Sequence, residues 1–135
     1  MERIAININD ARIPDSLGLQ PIDEAVITGG PAAYFSTLPI KAMVQALHTE
    51  GLVADVSQTA GTLVCNHVFY RLMRSLAAHR LSGGSIRGGS IHVPPLGDGT
   101  AAAMSLEDMT RGLTLAIECA LTTPVDTVVL GGSIG

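Results

Sequence analysis

Charge is scarce in this chain: only 15% of its 135 residues are Asp, Glu, Lys or Arg, and the net charge is -4. The eight lysines and arginines gather into no basic stripe, so nucleic acid is not an expected partner. No apolar run reaches the roughly 18 residues that a membrane helix needs. Cysteine is nearly absent, with Cys65 and Cys119 alone. No secretory leader is legible ahead of them, and the expectation is a reduced, cytoplasmic setting rather than a disulfide. Neither Cys-x-x-Cys nor His-Glu-x-x-His occurs, and Cys65 with His67 makes a poor zinc site, so no metal is expected. The cluster RLSGGSIRGG at 80–89 is followed by no Lys-Ser or Lys-Thr. It therefore reads as a linker and not as a phosphate loop.

What the chain has instead is apolar bulk. Hydrophobic residues make up 47%, which is high for a small free-standing monomer and predicts contacts between subunits or a missing covering layer. The length suits one domain over residues 1–135.

The chemistry concentrates in residues 54–74, ADVSQTAGTLVCNHVFYRLMR. The apolar run 52–56 predicts a strand and the polar stretch 57–62 a tight turn. Val64, Val68, Leu72 and Leu76 then predict one apolar face of a helix reaching about His79. Cys65 falls in the first turn of that helix, where backbone N–H groups and the macrodipole favour a thiolate. Ala60-Gly61-Thr62 supplies the sharp bend that a strand-to-helix nucleophile turn needs. Against this stands the plain alternative that cysteine is a small, usually buried hydrophobe.

The other elements follow in order. Ile4, Ile6 and Ile8 alternate in a strand over 3–9, and 10–31 reads as irregular connection with a short strand at 25–28. A helix starts at Ser36-Thr37 with Pro39 in its first turn, buries Ile40, Met43, Val44 and Leu47, and ends at Gly51. Residues 90–93 form a strand stopped by Pro94-Pro95. The run 97–102, GDGTAA, matches a dinucleotide fingerprint only superficially, because prolines precede it and no helix start follows closely. Ser105 and Asp108 open a last helix with Met109, Leu113, Ala116, Ile117 and Ala120 on one face. Residues 125–130 are a final strand and 131–135 a frayed end. Helices alternating with short strands imply an α/β fold, a three-layer α/β/α sandwich with a largely parallel or mixed twisted sheet.

A thiol nucleophile needs a base. His67, two residues past Cys65, is turned about 200° away on a helix. His48 and His79 lie near helix C-termini, where a structural role suits imidazole. His92, at the carboxyl end of a strand, remains the candidate, although a histidine on an apolar strand is more often a satisfied core residue.

Residues 57–70, SQTAGTLVCNHVFY, resemble the active-cysteine motif of the pyroglutamyl peptidase I (pyrrolidone carboxyl peptidase) family of cysteine peptidases, and residues 2–7, ERIAIN, resemble the tail of its active-glutamate motif. DARIP at 10–14, GGPAAYFSTLP at 29–39, IHVP at 91–94 and MSLE at 104–107 are similar to further family segments. The resemblance implies Cys65 as nucleophile, His92 as general base and acid, and Glu2 as the carboxylate that orients the imidazole. It implies Ile13, Leu63 and Val64 as the substrate slot, with Leu63 standing where members usually carry Phe or Tyr. The implied reaction removes an N-terminal 5-oxoproline (pyroglutamyl) residue from a peptide through a thioester, with no cofactor, in a homo-oligomer that is a tetramer by resemblance. Members carry a further N-terminal segment before the glutamate motif, where this chain has only Met1. By residue physics alone Glu2 is no better a choice than Asp10, Asp15, Asp23 or Glu24, and reads as a solvated terminal carboxylate. Two readings follow: a peptidase of this family, or a non-catalytic remnant acting as an oligomeric or partner-bound module.

Overall fold

The computed structural model describes residues 1–97 and 103–130. Most of the GDGTAA run, residues 98–102, and the expected frayed end at 131–135 lie outside the described residues. The elements are β1 (Ile4–Ile6), β2 (Ala33–Phe35), α1 (Ile40–Thr49), α2 (Val64–Leu81) and α3 (Leu106–Thr122). They fall into two compact units. One holds Glu2–Thr37 and Ser57–Ser90, and the other Met1, Leu38–Val56 and the described part of Ile91–Gly135.

In the first unit β1 and β2 pair antiparallel, with Ile4 opposite Phe35, Ala5 opposite Tyr34 and Ile6 opposite Ala33. The ladder continues as isolated bridges from Glu2, parallel to Ser57 and antiparallel to Ser90, so the pairing is mixed. The buried face of β1 is the reverse of the expected one. Ala5 is fully buried, whereas Ile4 and Ile6 are half-buried and Ile8 is exposed. The small Ala5 side chain admits the bulk of α2, and it clusters with Val26, Phe69, Tyr70 and Met73. The same packing rotates α2 away from its expected stripe. Val64, Val68 and Leu72 are 70%, 60% and 40% exposed, while Asn66, Phe69, Tyr70 and Met73 are buried. Phe69, Tyr70 and Met73 together, with Asn66 bonded to the backbone of Ile6 and Ile8, outweigh the aliphatic face and decide the rotation. Tyr70 closes the cluster by donating its hydroxyl to Pro31 O at 2.6 Å. A Cβ on Gly30 would sit 2.6 Å from that hydroxyl, so only glycine fits.

Asn66 is the polar member of this core. Its Oδ1 accepts from Ile6 N–H at 2.9 Å, and its Nδ2 donates to Ile6 O at 2.9 Å and Ile8 O at 3.0 Å. The adjacent Asn7 N–H goes to Ala32 O, beside β2. Asn66 therefore pairs with the other edge of β1, as a neighbouring strand would.

In the second unit α1 buries Ile40, Met43, Val44 and Leu47, as the spacing predicts, and ends at Gly51 with φ +74°. Its start differs. The helix begins at Ile40 with Pro39 at the N-cap and no capping side chain of its own. Thr37, from the other unit, bonds to Gly88 instead. The cap comes from Asp126, whose two carboxylate oxygens accept from Lys41 N–H at 3.1 Å and Ala42 N–H at 2.9 Å. A carboxylate at that end also meets the positive pole of the helix. Helix α3 starts at Ser105, whose hydroxyl accepts from Asp108 N–H as expected. It packs on α1 through Gly112 and Ala116, turned from the expected face so that Leu113 and Ile117 are exposed. A Cβ on Gly112 would lie 3.1 Å from Leu47, so glycine brings α3 close to α1.

The expected strand at 90–93 gives only the single bridge from Ser90 to Glu2, and those at 25–28, 52–56 and 125–130 form no ladder among the described residues. Leu52 N–H, for example, turns back to Leu47 O to close α1. An apolar run becomes a strand only where a second backbone lies alongside it.

Two outcomes follow for stability. Asn66→Ala leaves three backbone groups, two on Ile6 and one on Ile8, without partners at a site closed to water, and is expected to lower unfolding free energy by about 3 kcal/mol. Asn66→Asp keeps the acceptor but sets a charge against two carbonyls, and is expected to be at least as damaging in a urea titration. Asp126→Ala removes the cap of α1 and is expected to cost about 1 kcal/mol, measured in the same way.

Candidate active site

The turn before α2 is built from its own side chains. Ser57 Oγ donates to Thr59 O at 2.9 Å, and Thr59 Oγ1 accepts from Gly61 N–H at 3.0 Å. Gly61 takes φ +79°, the left-handed bend that its sequence position predicts. Thr62 then latches to the segment after β1: its hydroxyl donates to Asp10 O at 2.9 Å, and Asp10 N–H donates to Thr62 O at 3.0 Å. Leu63 occupies the N-cap and has no side chain to cap with; the ladder starts with His67 N–H to Leu63 O at 3.0 Å. The N–H groups of Val64, Cys65 and Asn66 thus precede the ladder. Cys65 is exposed in this first turn. Here helix-end N–H groups and the macrodipole act on any negative charge that develops on sulfur or on an oxygen bound beside it.

Beside this turn is a cavity of about 750 Å³, lined in part by Asn9, Ile13, Leu63, Val64 and His67. The three residues expected to form a substrate slot thus all line this cavity, and Val64 is the residue before Cys65. Apolar side chains supply that wall, which suits a ligand with an uncharged ring.

Glu2 belongs to the same unit as Cys65. It is 3% exposed, which overturns its reading as a solvated terminal carboxylate. Glu2 N–H donates to Ser90 O and Arg3 N–H to Ser57 O, both at 2.9 Å, so two neighbouring segments hold the start of the chain. His92 is exposed and belongs to the other unit. His48 bonds through Nε2 to Ala54 O at 2.7 Å, in keeping with a structural role.

His67 lies in the cavity wall with both ring nitrogens engaged. Arg71 Nε donates to its Nε2 at 2.9 Å, so Nε2 carries no proton and Nδ1 donates to Asn9 Oδ1 at 3.0 Å. The ring is held neutral, and burial, followed by the Arg71 charge, lowers its pKa below the usual 6.5. With both nitrogens committed, His67 has none to offer Cys65. Neither this pairing nor the Asn66 clamp was singled out from sequence; an Asn beside a candidate nucleophile was the available signal.

Because the folded chain takes up a proton on His67 later than the unfolded chain, its contribution is present above pH 6.5 and is lost as pH falls through the lowered folded value. An NMR titration of the ring protons is expected to give a midpoint below 6.5, and Arg71→Gln is expected to move it upward by removing the nearby charge.

A family model for pyroglutamyl peptidase matches residues 1–123. The chain is 54% identical over 138 aligned residues to a pyrrolidone-carboxylate peptidase of Pseudomonas fluorescens, covering 99% of this chain and 62% of that protein. It is 51% identical over 139 aligned residues to one of Cupriavidus taiwanensis, covering 99% and 63%. Among solved structures, pyroglutamyl peptidase I of Bacillus amyloliquefaciens superposes with a TM-score of 0.87 at 44% identity, over 96% of this chain and 62% of that one. Pyrrolidone carboxyl peptidase of Thermococcus litoralis gives 0.82 at 35%, over 96% and 63%. The chain thus spans less than two thirds of the length of these relatives. With its α/β fold, and a family match that includes the cysteine turn and the cavity wall, the chain belongs to the pyroglutamyl peptidase family.

Proposed function

We propose that this chain supplies the nucleophile and a substrate wall of a cysteine peptidase that removes N-terminal 5-oxoproline from peptides. One observation supports the reading: Ile13, Leu63 and Val64 line the same cavity, and Val64 is followed in the first turn of α2 by the exposed Cys65. The 5-oxoproline ring is uncharged and compact, and an apolar wall binds it without a counter-charge.

In this reaction Cys65 Sγ, as thiolate, attacks the carbonyl joining 5-oxoproline to the next residue. The resulting oxyanion is stabilised by N–H groups at the start of α2. Collapse expels the peptide amine, which takes a proton from His92 in the role implied for it by family membership. The thioester is then opened by water, which gives a proton back to His92 and releases free 5-oxoproline. Glu2, buried and held at both flanking segments, is the carboxylate assigned to orient the imidazole. The setting proposed is cytoplasmic and the assembly a homo-oligomer, the tetramer that family resemblance implies. Leu17, Leu81, Val128 and Leu130 all leave large apolar side chains exposed, and association would cover such surface.

The alternative reading is a non-catalytic module, oligomeric or partner-bound. A 5-oxoprolyl reporter amide separates the two. Turnover by the purified chain is expected to fall about a thousandfold or more in Cys65→Ala; equal rates in both proteins would reject the peptidase. Iodoacetamide is expected to alkylate Cys65 ahead of the half-buried Cys119 below about pH 8, read by peptide mass mapping. Light scattering is expected to give a multiple of 14.0 kDa, and a stable monomer would remove the oligomer from the proposal.

A further inference from the structure

We infer that Asn9 is a specificity-determining residue of this site, its side-chain N–H reading the ring carbonyl of a 5-oxoproline lactam; the inference rests on the proposed substrate.

A lactam presents one carbonyl acceptor and one N–H donor. In a mainly apolar cavity each needs a partner, because a polar group desolvated without one costs most of its hydration. The ring carbonyl therefore requires a donor from the wall. Asp15 and Glu24 line the cavity, but as carboxylates they only accept. Thr62 spends its one hydroxyl proton on Asp10 O, at 2.9 Å. Gln20 gives one amide proton to Ala11 O, also at 2.9 Å, and its exposed side chain leaves the second to water. His67 gives its single N–H to Asn9 Oδ1.

That last bond decides the matter for Asn9. Arg71 fixes the His67 tautomer by donating to Nε2, so the Nδ1 proton has one destination, the Asn9 oxygen. The Asn9 amide is thereby oriented with its acceptor end consumed, and what it has left for a ligand is Nδ2, a neutral donor. Its backbone is fixed as well: Asn9 and Glu24 exchange both backbone hydrogen bonds, at 2.7 and 3.0 Å. The donor is thus held by main chain and side chain together, which is how a site secures orientation at low entropic cost. A neutral donor also fits a neutral lactam, since it offers no cationic reward to a free glutamate carboxylate.

Binding to the full-length chain tests this independently of turnover. The probes are 5-oxoprolinamide, which has the ring carbonyl, and cyclopentanecarboxamide, which has the ring shape without the lactam. Calorimetry is expected to show that Asn9→Asp, which can still accept from His67 but cannot donate, weakens 5-oxoprolinamide about tenfold or more and leaves cyclopentanecarboxamide within about twofold. His67→Phe, which frees the Asn9 amide to turn, is expected to weaken the same probe by a smaller factor. In the unaltered protein the Asn9 side-chain amide signals are expected to shift on adding 5-oxoprolinamide, a measurement that needs no variant to fold. Equal 5-oxoprolinamide affinity in Asn9→Asp, unmoved Asn9 signals, or no binding by the unaltered chain would each overturn the inference. Reporter hydrolysis with unmoved signals rejects Asn9 and keeps the peptidase. Asn9-dependent binding without hydrolysis keeps Asn9 and rejects the peptidase.

Discussion

The first unit depends on a single side chain imitating a strand. Asn66 is fully buried, and all three of its hydrogen bonds go to the backbone of Ile6, the last residue of β1, and of Ile8 just beyond it. A buried amide is tolerated only when each of its groups is matched, and here the match is a strand edge that would otherwise lack a neighbour. The consequence is positional. Asn66 is the third residue of α2, so pinning it to Ile6 and Ile8 pins the helix start, and Cys65 comes with it. The nucleophile candidate needs no contacts of its own to be placed, and its thiol stays exposed.

Around that pin the chain separates apolar and polar tasks. Phe69, Tyr70 and Met73 pack inward on Ala5 and Val26 and supply most of the burial. One turn earlier, Leu63 and Val64 are left outward to line a cavity with Ile13. Val64, which a helical projection assigns to the core, is thus released to the cavity wall, because the aromatic face wins the contest for burial. The polar edge of the wall is a relay, Arg71 to His67 to Asn9, in which each donor finds an acceptor and the ring remains neutral. Neutrality matters here: a protonated His67 would lose the Arg71 bond and place two cations side by side.

The second unit shows how far an element's end can be set by distant chain. Helix α1 has a clear apolar stripe but no cap of its own, and Asp126, some eighty residues later, supplies one. Helix α3 has both its cap and its box in the local sequence, at Ser105 and Asp108, and those were legible. The difference is range. Capping boxes are written within four residues, whereas a tertiary cap is written nowhere near the helix that it serves.

By itself, the amino-acid sequence determined what depends on short-range chemistry. That includes the three helices, the glycine bend before Cys65, the α1 stripe and the motif residues by which the family is recognisable. Tertiary structure alone decided which face of α2 is buried, that Ala5 and not its isoleucine neighbours faces the core, and that Glu2 is held inside. It also decided that several apolar runs form no ladder among the described residues. The reason is common to all of these. Periodicity states how many sides of an element are apolar, but which side is buried depends on the volume and the unmatched hydrogen bonds of whatever packs against it.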